Sequence, residues 1–198
     1  MGALFRLISP LIFVLVAPIL YANRKLRHGW SERLGRYTQS FESLEKPRVW
    51  LHGASAGDLL ALQPVIKALR IQRPELSIIV SSMTQSGQEM ARARMTGIDR
   101  LIYLPWDVPF AVRRALGSIQ PDVLVLEYTE LWPNLIYQAS ERGVRLVLTN
   151  GRISPDNLSA YRRFFTLVGN PLKRFDRLLM RSRSEANRAA ELGASAFA

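Results

Sequence analysis

The sequence predicts an α/β protein: a doubly wound, Rossmann-like parallel sheet preceded by an N-terminal membrane-anchor helix. Three observations support this prediction. Short apolar runs alternate with helical patterns from Arg48 onward, as in chains built from βα units. Hydrophobic residues make up 48% of the 198 residues, which is enough for one buried core. An uncharged apolar stretch occupies residues 7–22.

The apolar stretch at residues 7–22 is the first predicted element. It is shorter than the ~20 residues that cross a bilayer as a straight helix, and two prolines interrupt it. We therefore expect either a transmembrane helix or a shallow or re-entrant insertion. A cleaved signal peptide is the alternative, but basic residues are denser after the stretch than before it, and no convincing Ala-x-Ala site follows. Three basic residues within 24–27 predict a cytoplasmic body.

The net charge of +11 is concentrated at the two ends of the chain. Residues 1–48 carry eight basic and three acidic groups, residues 161–198 carry the same, and the middle carries eleven and ten. An anionic membrane surface explains this pattern, because the first basic cluster adjoins the apolar stretch. No nucleic-acid partner is expected, since we find no aromatic-basic RNA motif and no clear helix-turn-helix. With no cysteine and two histidines, the sequence predicts neither a metal site nor a cofactor.

Six strands alternate with helices in the remaining chain. Strands are predicted at residues 49–51, 76–81, 101–104, 123–126, 146–149 and 178–180. Helices are predicted at residues 59–70, 87–95, 109–116, 133–142 and 184–192, with Pro109 and Pro133 suited to first turns.

The segment at residues 155–176 is too long for a simple connection, and we expect it to be helical. It mixes aromatic residues with arginines and lysines. Two interpretations are open: a second patch that faces the membrane or an acceptor, or aromatic side chains in the core with arginines in solvent.

The turn after the first predicted strand is the most informative segment. Residues 53–57 carry little side-chain bulk, so a ligand could come close to the backbone there. A helix begins where Asp58 stands, and helix N-termini favour negative charge. His52 and Asp58 would flank this opening.

Polar residues also follow the other predicted strands, and ligands of open α/β sheets bind at those carboxyl ends. The residues of this rim are His52 to Asp58, Ser82, Thr84, Ser86, Trp106, Asp107, Glu127, Glu130, Asn150, Arg152, Arg181 and Ser182.

Three carboxylates of the rim, Asp58, Glu127 and Glu130, have the composition of a site for acid-base chemistry on hydroxyl groups. A carboxylate in a partly apolar cleft near another carboxylate has a raised pKa and is a better general base near neutral pH. The alternative for Asp58 is a helix N-cap. The alternative for the two glutamates is a structural network with Arg152 or Arg181.

His52 and Ser55 have more than one interpretation. His52 could bind a phosphate or orient a base, or it could simply bond to a neighbouring loop. Ser55 lacks the Gly-x-Ser-x-Gly elbow of acyl-transfer enzymes. The glycine spacing matches neither a dinucleotide fingerprint nor a P-loop, so nucleotide binding has little support.

At these residues the sequence resembles a known family, the transferases of 3-deoxy-D-manno-oct-2-ulosonic acid (Kdo). The resemblance covers nearly the whole chain, and the Glu-Leu-Trp-Pro-Asn run is quite specific. The matching motifs are Trp30-Ser31-Glu32-Arg33-Leu34-Gly35-Arg36-Tyr37, His52-x-x-Ser55-x-Gly57, Met83-Thr84-x-Ser86-Gly87, Tyr103-Leu104-Pro105-Trp106-Asp107-x-Pro109, Glu127-x-Thr129-Glu130-Leu131-Trp132-Pro133-Asn134 and Asn150-x-Arg152-Ile153-Ser154.

The resemblance implies the N-terminal half of a GT-B glycosyltransferase on the cytoplasmic face of the bacterial inner membrane. Such enzymes transfer Kdo from CMP-Kdo to the lipid A precursor (lipid IVA) in lipopolysaccharide synthesis. We accordingly expect an anchor with its basic juxtamembrane segment at residues 1–30 and a Rossmann-like acceptor-binding domain at 31–198. The C-terminal donor-binding domain is expected to be absent from this chain.

The resemblance also assigns roles to residues of this chain. Asp58 would deprotonate a hydroxyl of the acceptor, which then displaces CMP with inversion. Glu130 and Glu127 would orient the acceptor or the base. The implied substrate-binding residues are His52, Ser55, Gly57, Thr84, Ser86, Glu127, Asn150 and Arg152, with Arg152 a partner for an acceptor phosphate or the Kdo carboxylate.

One departure from the family pattern concerns the base, which is glutamate in the family and Asp58 here. A displacement on the order of 1 Å can cost roughly 100-fold in rate where positioning dominates. A non-catalytic paralogue that binds a glycolipid or a partner protein is therefore the second hypothesis. A generic nucleotide-binding protein is the third.

Overall fold

Six strands form one parallel sheet in the computed structural model, which describes residues 3–195. The strands are β1 Arg48–His52, β2 Ser77–Ser82, β3 Arg100–Tyr103, β4 Val123–Glu127, β5 Arg145–Gly151 and β6 Arg177–Met180. Their spatial order is β3-β2-β1-β4-β5-β6, and every neighbouring pair is parallel. The chain thus winds outward from β1 to β3 and then returns to the other side of β1. This confirms the doubly wound sheet and places its switch point between β1 and β4.

The helices of the described residues follow the predicted alternation. They are α1 Ala3–Ala22, α2 Arg24–Arg27, α3 Trp30–Arg33, α4 Ala56–Gln72, α5 Gln85–Arg94, α6 Pro109–Ile119, α7 Pro133–Glu141, α8 Leu158–Val168 and α9 Arg183–Glu191. Pro109 and Pro133 each begin a helix, where the missing N–H has no partner to lose. Helix α4 begins three residues before its predicted start, because Ser55 caps it.

The core consists of two layers, one on each face of the sheet. Successive residues of β1 point to opposite faces, so Trp50 packs into one layer and Leu51 into the other. The Trp50 layer lies under α6, α7 and α9, and the Leu51 layer lies under α4 and α5. Both residues are fully buried, which fixes the carboxyl end of β1 at the centre of the sheet.

Helix α1 is longer than the predicted stretch and continues through both prolines. The segment Phe5–Ala22 is long and apolar enough to cross a membrane by length and composition. One side of α1 packs on the domain through Phe13, which contacts a small aromatic cluster with Trp30 and Trp106.

Helix α3 connects the segment after α1 to the sheet. Arg33 is fully buried, with Nη2 donating to the Met83 carbonyl at 2.6 Å and the guanidinium stacked over Tyr103 at 4.6 Å. The neighbouring Glu32 carboxylate accepts the Tyr103 backbone N–H at 2.7 Å. The Trp30–Tyr37 motif therefore serves structure, because it fastens this segment to the carboxyl ends of β2 and β3.

The segment at residues 155–176 is helical as predicted, and each of the two interpretations applies to some of its residues. Tyr161 and Phe165 pack against the core, whereas Arg162 and Arg163 are exposed. Leu167 is also half-exposed, so α8 keeps a mixed apolar and basic outer face.

Candidate functional site

The candidate site lies at the switch point, where β1 and β4 end side by side. His52 is the last residue of β1 and pairs in register with Leu126 of β4. Glu127 ends β4 and pairs with Thr149 of β5. The chain leaves β1 toward β2 and leaves β4 toward β5, on opposite halves of the sheet, so side chains from both halves face one crevice.

The turn after β1 ends in a capping box at the start of α4. Ser55 is the N-cap, and the carboxylate of Asp58 reaches back to accept the Ser55 backbone N–H at 2.8 Å and its hydroxyl at 2.7 Å. Asp58 is therefore the third residue of the helix, and its interpretation as the N-cap is wrong. Both bonds end on Oδ2 of Asp58, and they hold this half-buried carboxylate at the positive end of the helix dipole.

The two glycines of the turn differ in what surrounds them. A Cβ at Gly53 would lie 2.9 Å from the Asp58 Cβ and 3.0 Å from the Leu59 backbone nitrogen. A Cβ at Gly57 would meet only the Ser55 Oγ, at 3.8 Å. The protein itself therefore requires glycine at 53 but not at 57, where the space is open to a ligand.

His52 is fully buried, and only one side of its ring is bonded. Nδ1 lies 3.1 Å from the Ser81 carbonyl and 3.0 Å from the Ser81 Oγ, which also accepts the Trp50 indole N–H at 2.8 Å. Nε2 has no hydrogen-bond partner and lies 3.9 Å from the Glu130 Oε2. Burial lowers the pKa of His52 to about 4, so the ring is neutral at pH 7.

Glu127 is buried and bonded on both oxygens. The Thr149 hydroxyl donates to Oε2 at 2.6 Å, and the Asn150 amide donates to Oε1 at 2.8 Å. Burial raises the pKa of Glu127, these two donors oppose the rise, and the charge of Asp58 adds to it.

Glu130 is half-buried and follows β4 by three residues. Burial raises the pKa of its carboxyl, and the charge of Asp58 raises the pKa further. Because the field of Asp58 acts on both glutamates, the structure brings Asp58, Glu127 and Glu130 within electrostatic range of one another. The neutral His52 lies 3.9 Å from Glu130, and within residues 3–195 no lysine or arginine forms an ion pair with Asp58, Glu127 or Glu130.

The alternative pairing of the glutamates with Arg152 or Arg181 is wrong. Arg152 instead donates from Nη1 to the Tyr128 hydroxyl at 2.6 Å, and its backbone N–H donates to the Thr129 Oγ1 at 3.0 Å. The exposed side chains of Arg152 and Arg181 line a cavity of about 400 Å³ at the N-terminus of α9.

Two residues of this rim adopt left-handed backbone conformations. Tyr128 has φ 65° and Asn150 has φ 53°. Asn tolerates this region, but Tyr does so at a cost, and such residues gather at functional sites. Tyr128 turns the chain sharply after Glu127, and its contact with Arg152 was not foreseen from the sequence.

Thr84 and Ser86 lie on the same edge of the sheet but line a different cavity. Thr84 caps α5 by accepting the Gly87 N–H at 3.0 Å. The cavity measures about 550 Å³ and is lined by Lys25 and Leu26 of α2 together with the segment from Met83 to Glu89. The Met83 N–H donates to the Ala54 carbonyl, so this cavity adjoins the turn that carries Asp58.

Trp106 and Asp107, predicted on the rim, are structural. The Asp107 carboxylate accepts the backbone N–H groups of Asn134 and Leu135 at 3.0 and 2.9 Å and so caps α7 from another loop. Trp106 lies in the aromatic cluster under α1. Across residues 3–195, no group of three or more His, Asp or Glu side chains could hold a metal ion.

Comparisons with known proteins match most of the chain and its fold. The family profile described as 3-deoxy-D-manno-octulosonic-acid transferase (kdotransferase) matches residues 28–198. The transferase of this name from Haemophilus influenzae is 31% identical over 160 residues, which cover 80% of this chain and 37% of that protein. The one from Chlamydophila psittaci is 29% identical over 171 residues and covers 80% and 39%.

Solved structures support the fold alone. A UDP-N-acetylglucosamine 2-epimerase from Listeria monocytogenes superimposes with a TM-score of 0.56 at 10% identity, covering 77% of this chain and 43% of that one. The epimerase from Neisseria meningitidis bound to UDP-GlcNAc gives 0.54 at 9% identity, covering 75% and 44%.

The chain spans well under half the length of the curated relatives it matches. The family match nevertheless covers residues 28–198, a range that includes the switch-point edge, and the chain belongs to the 3-deoxy-D-manno-octulosonic acid transferase family.

Proposed function

We propose that this chain is the acceptor-binding half of a glycosyltransferase that moves Kdo from CMP-Kdo to a lipid A precursor. The observation that carries the proposal is the placement of Asp58 at the switch point, beside two glutamates whose pKa values are raised. Family membership supports the Kdo chemistry. The relatives extend well beyond the matched region, and we assign donor binding to that remaining part.

Asp58 is the proposed general base. Its Oδ2 is held by Ser55, so Oδ1 is the atom that would accept a proton from the acceptor hydroxyl. The resulting oxygen nucleophile forms a bond to the anomeric carbon of Kdo, the bond to CMP breaks, and the configuration inverts. General-base catalysis of this kind contributes about 10²–10⁴-fold.

Glu130 and His52 form the proposed positioning pair. The Ser81 carbonyl can only accept, so Nδ1 carries the ring hydrogen and donates to it, which leaves the lone pair on Nε2. Nε2 faces the Glu130 carboxyl at 3.9 Å, and we assign these two groups to orienting the acceptor hydroxyl. Glu127, held by Thr149 and Asn150, keeps the floor of the crevice acidic.

The remaining assigned residues would bind substrate. Gly57 leaves open space at the start of α4, and Thr84 and Ser86 present hydroxyl groups next to Lys25. Arg152 shares its cavity with Arg181 and Arg188 at a helix N-terminus, a setting that suits a phosphate or a carboxylate.

A membrane location follows from the same proposal. The acceptor is a lipid, and the apolar α1 is followed by three basic residues within 24–27 that favour an anionic surface. We assign the protein to the cytoplasmic face of the bacterial inner membrane.

Transfer of Kdo from CMP-Kdo to lipid A precursor by the full-length protein tests the proposal. Asp58→Asn should lower the rate about 10²–10⁴-fold, because the amide keeps the capping geometry but accepts no proton. Asp58→Glu should retain transfer or raise it. Asp176→Asn, a matched change at the opposite edge of the sheet, should leave the rate unchanged. Absence of transfer by both wild type and Asp58→Glu would refute the proposal.

A second candidate function is glycolipid binding without turnover. The observation that favours it is the short Asp58 side chain, which is tied to Ser55 by two hydrogen bonds. Binding of the lipid acceptor with no transfer in any Asp58 variant is the outcome expected from this function.

A further inference from the structure

Helix α1 has two sides with different surroundings. Phe13 is buried, and Ala17 and Leu20 pack with it against the domain. The opposite side carries a continuous apolar row of four residues that are between 65% and 77% exposed: Leu7, Leu11, Leu15 and Ile19. The helix therefore presents one face to the protein and leaves the other without a protein partner among the described residues.

The contacts of α1 with the domain extend along its whole length. Near its N-terminal end the Arg6 guanidinium pairs with Glu141 at the end of α7. In the middle, Phe13 lies 5.9 Å from Phe110 of α6, measured between ring centroids. At the C-terminal end, Tyr21 packs edge-on against Trp30 at 5.3 Å.

This arrangement is incompatible with a helix that crosses the bilayer. A helix of 20 residues is about 30 Å long, so a spanning α1 would place Arg6 on the far side of the membrane from the domain. The Arg6 contact with Glu141 and the Phe13 contacts keep both ends on the same side as the sheet.

We propose that α1 lies in the plane of one bilayer leaflet, with its exposed face in the acyl chains and its Phe13 face on the domain. In isolated interfacial helices a polar face meets the water, and here the domain takes the place of that face. A helix about 10 Å across fits within the roughly 15 Å of one leaflet's hydrocarbon.

Charge identifies a lipid surface as the occupant. Arg24, Lys25 and Arg27 follow directly at the end of α1 and none of them has an acidic partner within residues 3–195. Helix α8, which packs beside α1, adds the exposed Arg163 and Leu167. Cations around an apolar face suit anionic headgroups, whereas they would repel each other across an interface between two copies.

The orientation has a consequence for the candidate site. Lys25 and Leu26 come directly after α1 and line the 550 Å³ cavity with Thr84 and Ser86. An in-plane α1 holds the mouth of that cavity at the headgroup level, where the polar part of a lipid is found.

Depth measurements test the orientation without any catalytic assay, so their failure would leave the proposed function untouched. The chain has no cysteine, and a single one can be placed at Leu7, Leu11, Leu15 or Ile19 and labelled with an environment-sensitive fluorophore. The full chain is bound to vesicles of phosphatidylcholine and phosphatidylglycerol that carry shallow or deep nitroxide quenchers. We expect the same depth at all four positions.

Ala17→Cys is the matched control on the packed face, and a lipid quencher should not reach it. A spanning helix would instead give shallow labels at Leu7 and Ile19, a deep label at Leu15 and full quenching at Ala17. Labels that no lipid quenches but that cross-link between copies would mean that a second copy covers the face. Either pattern overturns the proposal.

Sidedness provides an independent readout in reconstituted vesicles. An impermeant maleimide should label Arg6→Cys near the start of α1 and the exposed Glu42→Cys of the domain to the same fraction, whatever the mixture of orientations. Complementary fractions would place the two residues on opposite sides of the membrane and contradict the in-plane arrangement.

Discussion

The carboxylates at the two ends of the sheet have opposite electrostatic surroundings. At the amino end, an aspartate precedes each of β3, β4 and β6 and accepts a backbone N–H from the start of the neighbouring strand. Asp99 accepts from Ile78 at 2.6 Å, Asp122 from Arg48 at 2.8 Å and Asp176 from Leu146 at 2.8 Å. Each of these aspartates also pairs with a basic side chain.

At the carboxyl end, Asp58, Glu127 and Glu130 face one crevice and form no ion pair with a lysine or arginine in the described part of the chain, and the pKa values of both glutamates are raised. The amino end thus uses charge to fix the register of the strands. The carboxyl end keeps charge uncompensated, which costs stability and provides proton acceptors.

The first prediction concerns His52 and has the largest expected effect. The pKa of His52 is lowered to about 4 in the folded chain, against about 6.5 in the unfolded chain. Between these pH values the unfolded chain therefore binds a proton at His52 that the folded chain does not bind. The His52 contribution to the free energy of unfolding should therefore fall by about 1.4 kcal/mol per pH unit as the pH drops from 6.5 toward 4, and it is obtained as the difference in slope between wild type and His52→Asn, because burial raises the pKa of Asp107 to about 6 and gives an opposite slope in both. Urea unfolding at a series of pH values measures this slope.

His52→Asn should flatten that slope, because the amide retains a polar atom beside Ser81 but does not titrate. An NMR titration follows the His52 ring directly, and the His52→Asn variant identifies its signal. A His52 signal that titrates near pH 6.5 would contradict the buried, neutral ring.

The second prediction separates the two glycines of the turn. Gly53→Ala should lower the free energy of unfolding by about 1–3 kcal/mol, because its Cβ would press on the backbone of α4. Gly57→Ala should leave stability unchanged or raise it by up to about 1 kcal/mol, since alanine is the better helix former. Acceptor binding, measured by calorimetry, should weaken in Gly57→Ala. Equal stability of the two variants would be inconsistent with the backbone contact at Gly53.

The sequence predicts the sheet well because its signals are local. The apolar run before His52, the small residues of the turn and the prolines at the starts of α6 and α7 act within a few residues. The turn of Tyr128 and the capping of α7 by Asp107 depend on contacts between distant segments, which no local pattern records. For the same reason the local pattern places Asp107 on the reactive rim. It also begins the apolar stretch at Leu7, after the charged Arg6, although α1 begins at Ala3.

The third prediction concerns the amino end of the sheet. Asp176→Ala should lower the free energy of unfolding by about 1–2 kcal/mol, because the Leu146 N–H at the start of β5 loses its acceptor. Although burial acts against it, the Leu146 N–H and Arg145 lower the pKa of Asp176, so this contribution is lost as the pH falls through the folded pKa. Urea unfolding measures both effects, and Asp176→Asn, which retains an acceptor, should lose less. A larger loss in Asn than in Ala would argue against the N–H contact.

The smallest expected effect on stability belongs to Glu130. Because its folded pKa is raised, the folded chain holds the proton more tightly than the unfolded chain, and stability declines as the pH rises above the unfolded value. Glu130→Gln removes the charge and should raise the free energy of unfolding at pH 8 by up to about 1 kcal/mol while it lowers Kdo transfer. The same substitution should do little at pH 4, where the wild-type carboxyl is already protonated. A variant that is less stable than wild type at pH 8 would show that Glu130 contributes to the fold as the aspartates of the amino end do, and the contrast between the two edges would then not extend to this residue.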